Sequence, residues 1–527
     1  MSDSTVVEPL ISNWAIWSDL VSPTSYSMHL TYYQLGLLAS YLNDPELHIK
    51  ASRNPRLAGG RFVNIPVERA SEVRMLIEET KQGQRDNISF AEALVAFYQY
   101  LSEEAKGQSI EPFYAQLPEA LRGYVELAYD YYGHPIIRVL ESLLYESPYY
   151  KKQLQSLRVF KYLRDDERPD FLNTPRLKVD DQIDWLIPFE SPRIDELFKL
   201  DLKAQPFDRI LDNLDLSGKD MHNLLPLLSE GGYPLPQKWN ARTVRLRYLG
   251  HACVLIEWKG ISILTDPFLG AIPAEEGIER YSYKDLPERI DFALITHGHH
   301  DHFVLESLLR LRHRINCLVV ARNFGVFHSD PSLRLMSRKL GFKNVIEMDS
   351  LDTIALPDGE IIAIPFLGEH ADLIHGKTAY AIRAGKQIML FAADSNCLDK
   401  KMYTHIRNLL GPIETVFLGM ECVGAPLSWL YGALMPTKLQ RSYDQSRRTK
   451  GCDSGAALDL MEAIGATRVY IYAMGCEPWL RFSMGFGLSE DSAQIKESDR
   501  VLAKAREKGF LHAQRPFGKA EVYLDGC

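Results

Sequence analysis

The chain runs to 527 residues and carries 60 Lys and Arg against 69 Asp and Glu, a formal net charge of -9. Hydrophobic residues make up 46% and charged residues 24%, enough apolar surface to offset chain entropy, so a disordered chain is excluded and more than one domain is expected. The acidic balance with scattered Lys and Arg argues against nucleic acid as a partner, and the uncharged run 422–437, short and broken by two Pro and two Gly, argues against a membrane span.

No Lys or Arg precedes Lys50, so the positive region of a secretory signal is missing and a cytoplasmic protein is expected. Apolar periodicity predicts helices over 28–42, 67–79, 90–104 and 117–145, with Ser89 and Glu92 as a capping box for the third. The last of these is dense in aromatics, with Tyr124, Tyr129, Tyr131 and Tyr132 close together. Such a face reads as core, or as a subunit interface, because Tyr joins an apolar body to a polar tip. A homodimer is expected. Gly231, Gly232, Pro234 and Pro236 mark a linker. It divides an N-terminal domain, 1–240, expected to serve dimerisation or contact with a substrate protein, from a catalytic domain, 241–527.

Beyond the linker the pattern changes. Val244, Leu246 and Tyr248 alternate with Arg245 and Arg247, Val254, Ile256 and Trp258 follow in the same period, and Lys259-Gly260 turns the chain into Ile261 and Ile263. Further strands are predicted at 292–296, 317–321, 361–366, 379–384, 388–393, 415–419 and 468–474, with helices at 304–314, 333–340, 399–409 and 454–464 between them. Hairpins followed by strands interleaved with helices suit two sheets between helical layers. All seven Cys lie after residue 252 without a CxxC pair, which excludes a disulfide scaffold or a zinc ribbon.

The predicted strand 292–296 runs into His297, Gly298, His299, His300, Asp301 and His302. Imidazole nitrogens and an anionic oxygen at this density are metal donors. A loop at a strand end can aim His297 and His299 to one side and Asp301 and His302 to another, which suits two adjacent metals.

With "LGHACVLIEWKGISILTDP" upstream, this HxHxDH pattern resembles the metallo-β-lactamase superfamily over about residues 244–480. The resemblance implies an αββα sandwich with a dinuclear site at one sheet edge. Asp266 then matches an early Asp that supports ligand His residues, with a turn before Pro267 as the alternative reading. Asp394 matches the bridging carboxylate, with a strand-terminal turn residue as the alternative. Hydrolases of the superfamily place a His where Glu369 and His370 stand, and another His after a late strand, where this chain has Met474, Cys476 and Glu477 instead.

That departure makes the site rich in carboxylates, which favours iron and O₂ chemistry over zinc hydrolysis. The chain resembles, over nearly its whole length, the di-iron β-hydroxylases of nonribosomal peptide pathways. In that branch a Glu takes the place of the usual His, which Glu369 matches, and a later Glu corresponds to Glu421, although Glu421 equally reads as a cap on the strand 415–419. The resemblance implies metal ligation by His297, His299, Asp301, His302, Glu369 and Asp394, with catalytic roles for Glu369, Asp394 and Glu421.

The fold class expected is a C-terminal αββα metallo-β-lactamase sandwich preceded by a helix-rich α+β domain. The activity implied is O₂-dependent β-hydroxylation of an amino acid held as a thioester on a peptidyl carrier protein, with two iron ions and an external electron donor. No dinucleotide or flavin fingerprint is visible, so a separate reductase is expected. The alternative is a dizinc or Mn/Fe hydrolase of a phosphodiester, lactone or thioester. Lys438, Arg441, Arg447, Arg448 and Lys450 form a basic loop that either docks an acidic carrier or is simply solvated. The apolar stretch 423–436 reads as a lid or substrate wall, or as a buried connection, and Trp479, Phe482 and Phe486 as a second candidate wall.

Overall fold

A computed structural model describes residues 1–54, 57, 59–215, 219–231, 235–275, 277–325, 327–368, 374–485 and 487–524. Two seven-stranded sheets form the centre of the second half. The first runs, in spatial order, Val345–Met348, Ile315–Ala321, Ile290–Leu294, Ile261–Thr265, Cys253–Trp258, Val244–Gly250 and Ala520–Leu524. The second runs Thr353–Leu356, Gly359–Ile364, Ala379–Ala384, Gln387–Phe391, Thr415–Gly419, Arg468–Tyr472 and His512–Gln514.

Strand alternation explains how the sheets face each other. Val244, Leu246 and Tyr248 point into the inter-sheet core with Ile256, Trp258, Tyr380, Phe391, Phe417 and Tyr470. The intervening Arg245 and Arg247 point away and share Glu257 on the neighbouring strand, at 2.8 and 3.0 Å. Each fully buried aromatic or aliphatic side chain contributes about 1.5–3 kcal/mol. Helices Lys400–Leu410, Ser454–Ile464 and Ala493–Glu507 cover the outer face of the second sheet. Helices Leu305–Leu311 and Leu333–Lys339 cover the first. The architecture is the expected αββα sandwich.

The first half mixes helices with an antiparallel sheet ordered Trp14–Ala15, Thr5–Ile11, Gln155–Lys161, Ile183–Leu186. Three of its four predicted helices are present, as Pro23–Asn43 with a π-helical turn at Leu30–Gln34, Ala70–Gly83 and Arg85–Glu104. The last begins at Arg85, so Ser89 lies inside it and makes no capping box. The helix expected over 117–145 is instead a hairpin, Val125–Tyr129 paired with Pro135–Val139. Val125, Leu127, Ile137 and Val139 alternate inward, Glu126 and Arg138 pair outside at 3.4 Å, and Gly133 turns the chain at φ +79°. Tyr131 and Tyr132 are fully exposed near the tip rather than core.

One continuous apolar cluster joins the two halves, uniting Leu10, Trp17, Phe189 and Phe198 with Leu255, Leu264, Leu308 and Leu318. Buried ion pairs fix its geometry. Arg310 of the helix Leu305–Leu311 grips Asp201 at 2.7 and 2.9 Å, Arg312 holds Asp195 at 2.8 Å, and Arg168 bridges Glu8 and Glu306. No described helix is long and apolar enough to cross a membrane, and the six described cysteines are free.

Candidate metal centre

The strand Ile290–Leu294 ends beside the strands Ile261–Thr265 and Ile315–Ala321, and its continuation carries the histidine loop across the edge of both sheets. A hydrogen bond from Thr378 N–H to Thr296 O, at 2.8 Å, pins that loop to the second sheet. His297, His299, Asp301 and His302 are all buried there. Asp394 follows the strand Gln387–Phe391 of the second sheet through Ala393, which takes a left-handed φ of +47°. Gly419 on the neighbouring strand keeps room for the carboxylate, since a Cβ there would sit 3.1 Å from Asp394 Oδ1 and 2.7 Å from Ala393 O.

The donors fall into two groups, each with one candidate ligand atom per residue and all such atoms within 4.8 Å of one another. One holds His297, His299 and Asp394, the other His251, Asp301 and His302. Asp394 Oδ2 stands between them, 3.7 Å from His297 Nε2 and 3.2 Å from His302 Nε2. Asp301 Oδ2 lies 3.2 Å from His251 Nε2 and 3.9 Å from His302 Nε2.

Sequence reasoning missed His251. It occupies the turn between the strands Val244–Gly250 and Cys253–Trp258, at a register shift, with φ +48°. The late-strand segment that lacks a His of its own braces this turn. Ala473 N–H donates to His251 O at 3.1 Å, and His251 N–H donates to Glu477 Oε1 at 3.3 Å. The signal available was a lone His at a break between two alternating strands.

Asp266 both turns the chain, at φ +33°, and supports the site. Its Oδ2 lies 2.9 Å from His302 Nδ1 and accepts from Thr296 Oγ1 at 2.8 Å, while Oδ1 accepts from Thr296 N–H at 2.7 Å. This fixes the His302 ring so that Nε2 faces Asp394 and Asp301. His299 Nε2 lies 3.0 Å from the Tyr431 hydroxyl. His300 joins neither donor group and packs among Trp17, Phe171 and Trp429.

The charge pattern fits a cation. Burial holds the His299 ring well below its usual pKa. Burial would raise Asp301, but the surrounding His302, His300 and His251 hold it well below the carboxylate range. Asp394 Oδ1 is buried with no hydrogen bond among the described residues. Mixed nitrogen and oxygen donors converging in this way are suited to first-row transition metals. Glu369 and His370 lie outside the described residues.

The donors open onto a cavity of about 500 Å³ lined by His299, His300, Asp301, Asp394 and Glu421. Its apolar wall combines Leu57 and Phe62 of the first half with Trp429, Leu430 and Met484 of the second. The stretch 423–436 is therefore a wall, and its other side faces a second cavity of about 530 Å³ past Tyr431 and Leu434. Trp479 and Phe482 are occupied elsewhere, packed with Arg280 and Arg168 at 4.3 and 3.5 Å, and Phe486 lies outside the described residues.

Comparison with known proteins extends the picture. A family model described as the di-iron non-heme β-hydroxylase N-terminal domain matches residues 1–231, and a β-lactamase superfamily domain matches 245–374. The chain is 36% identical over 523 residues, 97% of each protein, to the 4-amino-L-phenylalanyl-[CmlP-peptidyl-carrier-protein] 3-hydroxylase of Streptomyces venezuelae. The crystal structure of CmlA, a di-iron β-hydroxylase from Streptomyces venezuelae, superposes with a TM-score of 0.92 at 34% identity, covering 99% of both chains. A metal-dependent hydrolase of Methanopyrus kandleri is 26% identical over 169 residues, 30% of this chain and 66% of its own length.

Proposed function

Because this chain belongs to the non-heme di-iron β-hydroxylases, we propose that it adds an oxygen atom to the β-carbon of an amino acid carried as a thioester on a peptidyl carrier protein. The observation that carries this reading is a pair of His and Asp donor groups at the end of a largely apolar cavity of about 500 Å³. A site of that kind presents a C–H bond, rather than a charged leaving group, to two metals. The hydrolase alternative ranks lower, since the likeness to the Methanopyrus kandleri hydrolase covers 30% of the chain against 97% for the carrier-protein hydroxylase.

His297, His299 and Asp394 would hold one iron and His251, Asp301 and His302 the other, with Glu369 completing the first. When bound, iron supplies the activation of O₂. The protein residues orient and shield. Asp266 sets the His302 ring, the Tyr431 hydroxyl meets His299 Nε2, and Leu57, Phe62, Trp429, Leu430 and Met484 exclude water from the reacting carbon. The balanced reaction takes the C–H substrate, O₂, two electrons and two protons to the alcohol and water, so an external donor must supply both electrons.

The basic loop supports carrier docking. Arg448 lines the cavity, and Lys438, Arg441, Arg447 and Lys450 are exposed along the same segment. This places positive charge where an acidic carrier and its phosphopantetheine arm would approach. The same proposal includes a boundary near residue 240 and a homodimer, for which the exposed Tyr131 and Tyr132 offer an aromatic surface.

The test is incubation with aminoacyl carrier proteins, reductant and O₂, read by the mass of the tethered product. A gain of one oxygen, with about two irons per chain, is the expected result. Stoichiometric zinc with reductant-independent hydrolysis would overturn it.

A further inference from the structure

Glu421 follows the strand Thr415–Gly419 by two residues and lines the metal cavity beside Asp394 and Asp301. One of its oxygens is fully engaged. Oε1 accepts from Gly424 N–H at 2.9 Å and from Gln494 Nε2 at 2.8 Å. The first contact is the local turn expected of a strand cap. The other oxygen is not engaged. Oε2 is shielded from solvent and makes no hydrogen bond among the described residues.

The cavity holds a positive side chain, Arg448, but its guanidinium is committed to Val423 O at 2.9 Å and Gly424 O at 3.0 Å. Among the described residues Glu421 has no ion pair. Burial pushes its carboxyl pKa up, and the nearby Asp394 and Asp301 push the same way. A carboxylate oxygen shielded from solvent and without a hydrogen bond is costly unless a partner arrives, and the cavity that Glu421 lines offers a route for one. Gln494 and Gly424 hold Oε1 and so fix the carboxylate beside the metal cavity.

The proposed substrate carries one cation wherever its side chain is neutral, the α-ammonium. That group is bonded to the carbon next to the one that reacts. A carboxylate at the metal end of the cavity can therefore meet it while the β-carbon faces the donors, whereas an amine at the far end of a side chain would lie deeper along the apolar wall. We infer that Glu421 Oε2 binds the α-ammonium of the aminoacyl thioester and so selects which C–H bond faces the metal centre. This rests on the carrier-tethered amino acid reading above. The chemical class recognised is a free α-amine, which excludes N-acylated or des-amino acyl thioesters as good substrates. Glu421 thus becomes a substrate-binding residue rather than a metal ligand.

The experiment compares a carrier protein loaded with an amino acid and the same carrier loaded with its des-amino acyl analogue. Binding is measured anaerobically, and the ratio of hydroxylated product to O₂ consumed is measured under turnover. Wild-type protein is expected to prefer the amino form by at least about tenfold in Kd, as one charge-assisted hydrogen bond provides. Glu421→Gln retains an oxygen for Gly424 and Gln494 but cannot pair with a cation. It is expected to lose the preference, bind the des-amino form like wild type, keep two irons per chain and consume O₂ with little product. Glu421→Asp, a shortened carboxylate, is expected to fall between the two.

Equal wild-type affinity for both loads would overturn the inference whether or not the variants fold. So would a preference that survives in Glu421→Gln, or one that appears only with a side-chain amine. If wild-type protein binds the loaded carriers with that preference but never adds oxygen, it is the activity reading that fails, and the assignment of Glu421 stands.

Discussion

The two halves of the metal centre are anchored to different parts of the molecule. His251 and His302 are braced within the sandwich, through Asp266 after the strand Ile261–Thr265 and through Ala473 and Glu477 after the strand Arg468–Tyr472. His299, by contrast, contacts Tyr431, which belongs to the wall between the two cavities. Both halves border the metal cavity, through His299 and Asp394 on one side and Asp301 on the other, but the hydroxyl contact to the wall between the cavities belongs to the His299 half. The Tyr431 hydroxyl links the wall to His299, whereas on the other side Asp301 lines the cavity directly and the adjacent His300 packs on Trp429 of the wall.

The strongest way to break this division is through Asp394, which stands between both groups. Asp394→Ala is expected to abolish stable binding of both irons, read as less than about one iron per chain after desalting. Retention of two would show that the groups do not depend on a shared carboxylate. His251→Ala is expected to remove one iron and leave the other, giving about one per chain. Loss of both would show that the two halves are not separable. Asp266→Asn keeps the shape but exchanges an acceptor for an amide at His302, and an outer partner of this kind is worth about 10–100-fold in metal affinity. A chelator competition should show that loss at one iron only. Tyr431→Phe removes one hydrogen bond at the other half, an effect of about 0.5–1.5 kcal/mol. Its expected signature is unchanged iron content with a changed electronic spectrum on substrate binding. Iron loss as large as that of Asp266→Asn would place the wall and the scaffold on the same footing.

The sandwich was legible because its physics is local. Val244, Leu246 and Tyr248 alternate with Arg245 and Arg247, and the interleaved helix at Ser454–Ile464 begins and ends at its predicted bounds. The donor loop was legible because four His and one Asp fall within six residues. His251 was not, because its one signal, a lone His at a break between two alternating strands, fits an ordinary turn equally well. It becomes a donor candidate only when the second sheet brings Ala473 and Glu477 against its turn. The segment 117–145 misled for the opposite reason. Its Tyr, Leu and Ile spacing fits a helical period, yet Val125, Leu127, Ile137 and Val139 also alternate, and packing on the rest of the first half selects the strand reading. The strand Thr5–Ile11 escaped notice because it is buried throughout and shows no alternation at all.

The cavity wall is stitched from both halves of the chain, with Leu57, Gly59, Gly60 and Phe62 facing Trp429, Leu430 and Met484. Substrate choice is therefore not a property that travels with the sandwich. Grafting residues 241–527 of this chain onto the first half of a relative would keep every described metal donor and change one side of the mould. Reprogramming such an enzyme toward a new amino acid calls for exchanging matched segments across the seam, with the buried Arg310–Asp201 and Arg168–Glu306 pairs as the register marks that any hybrid must preserve.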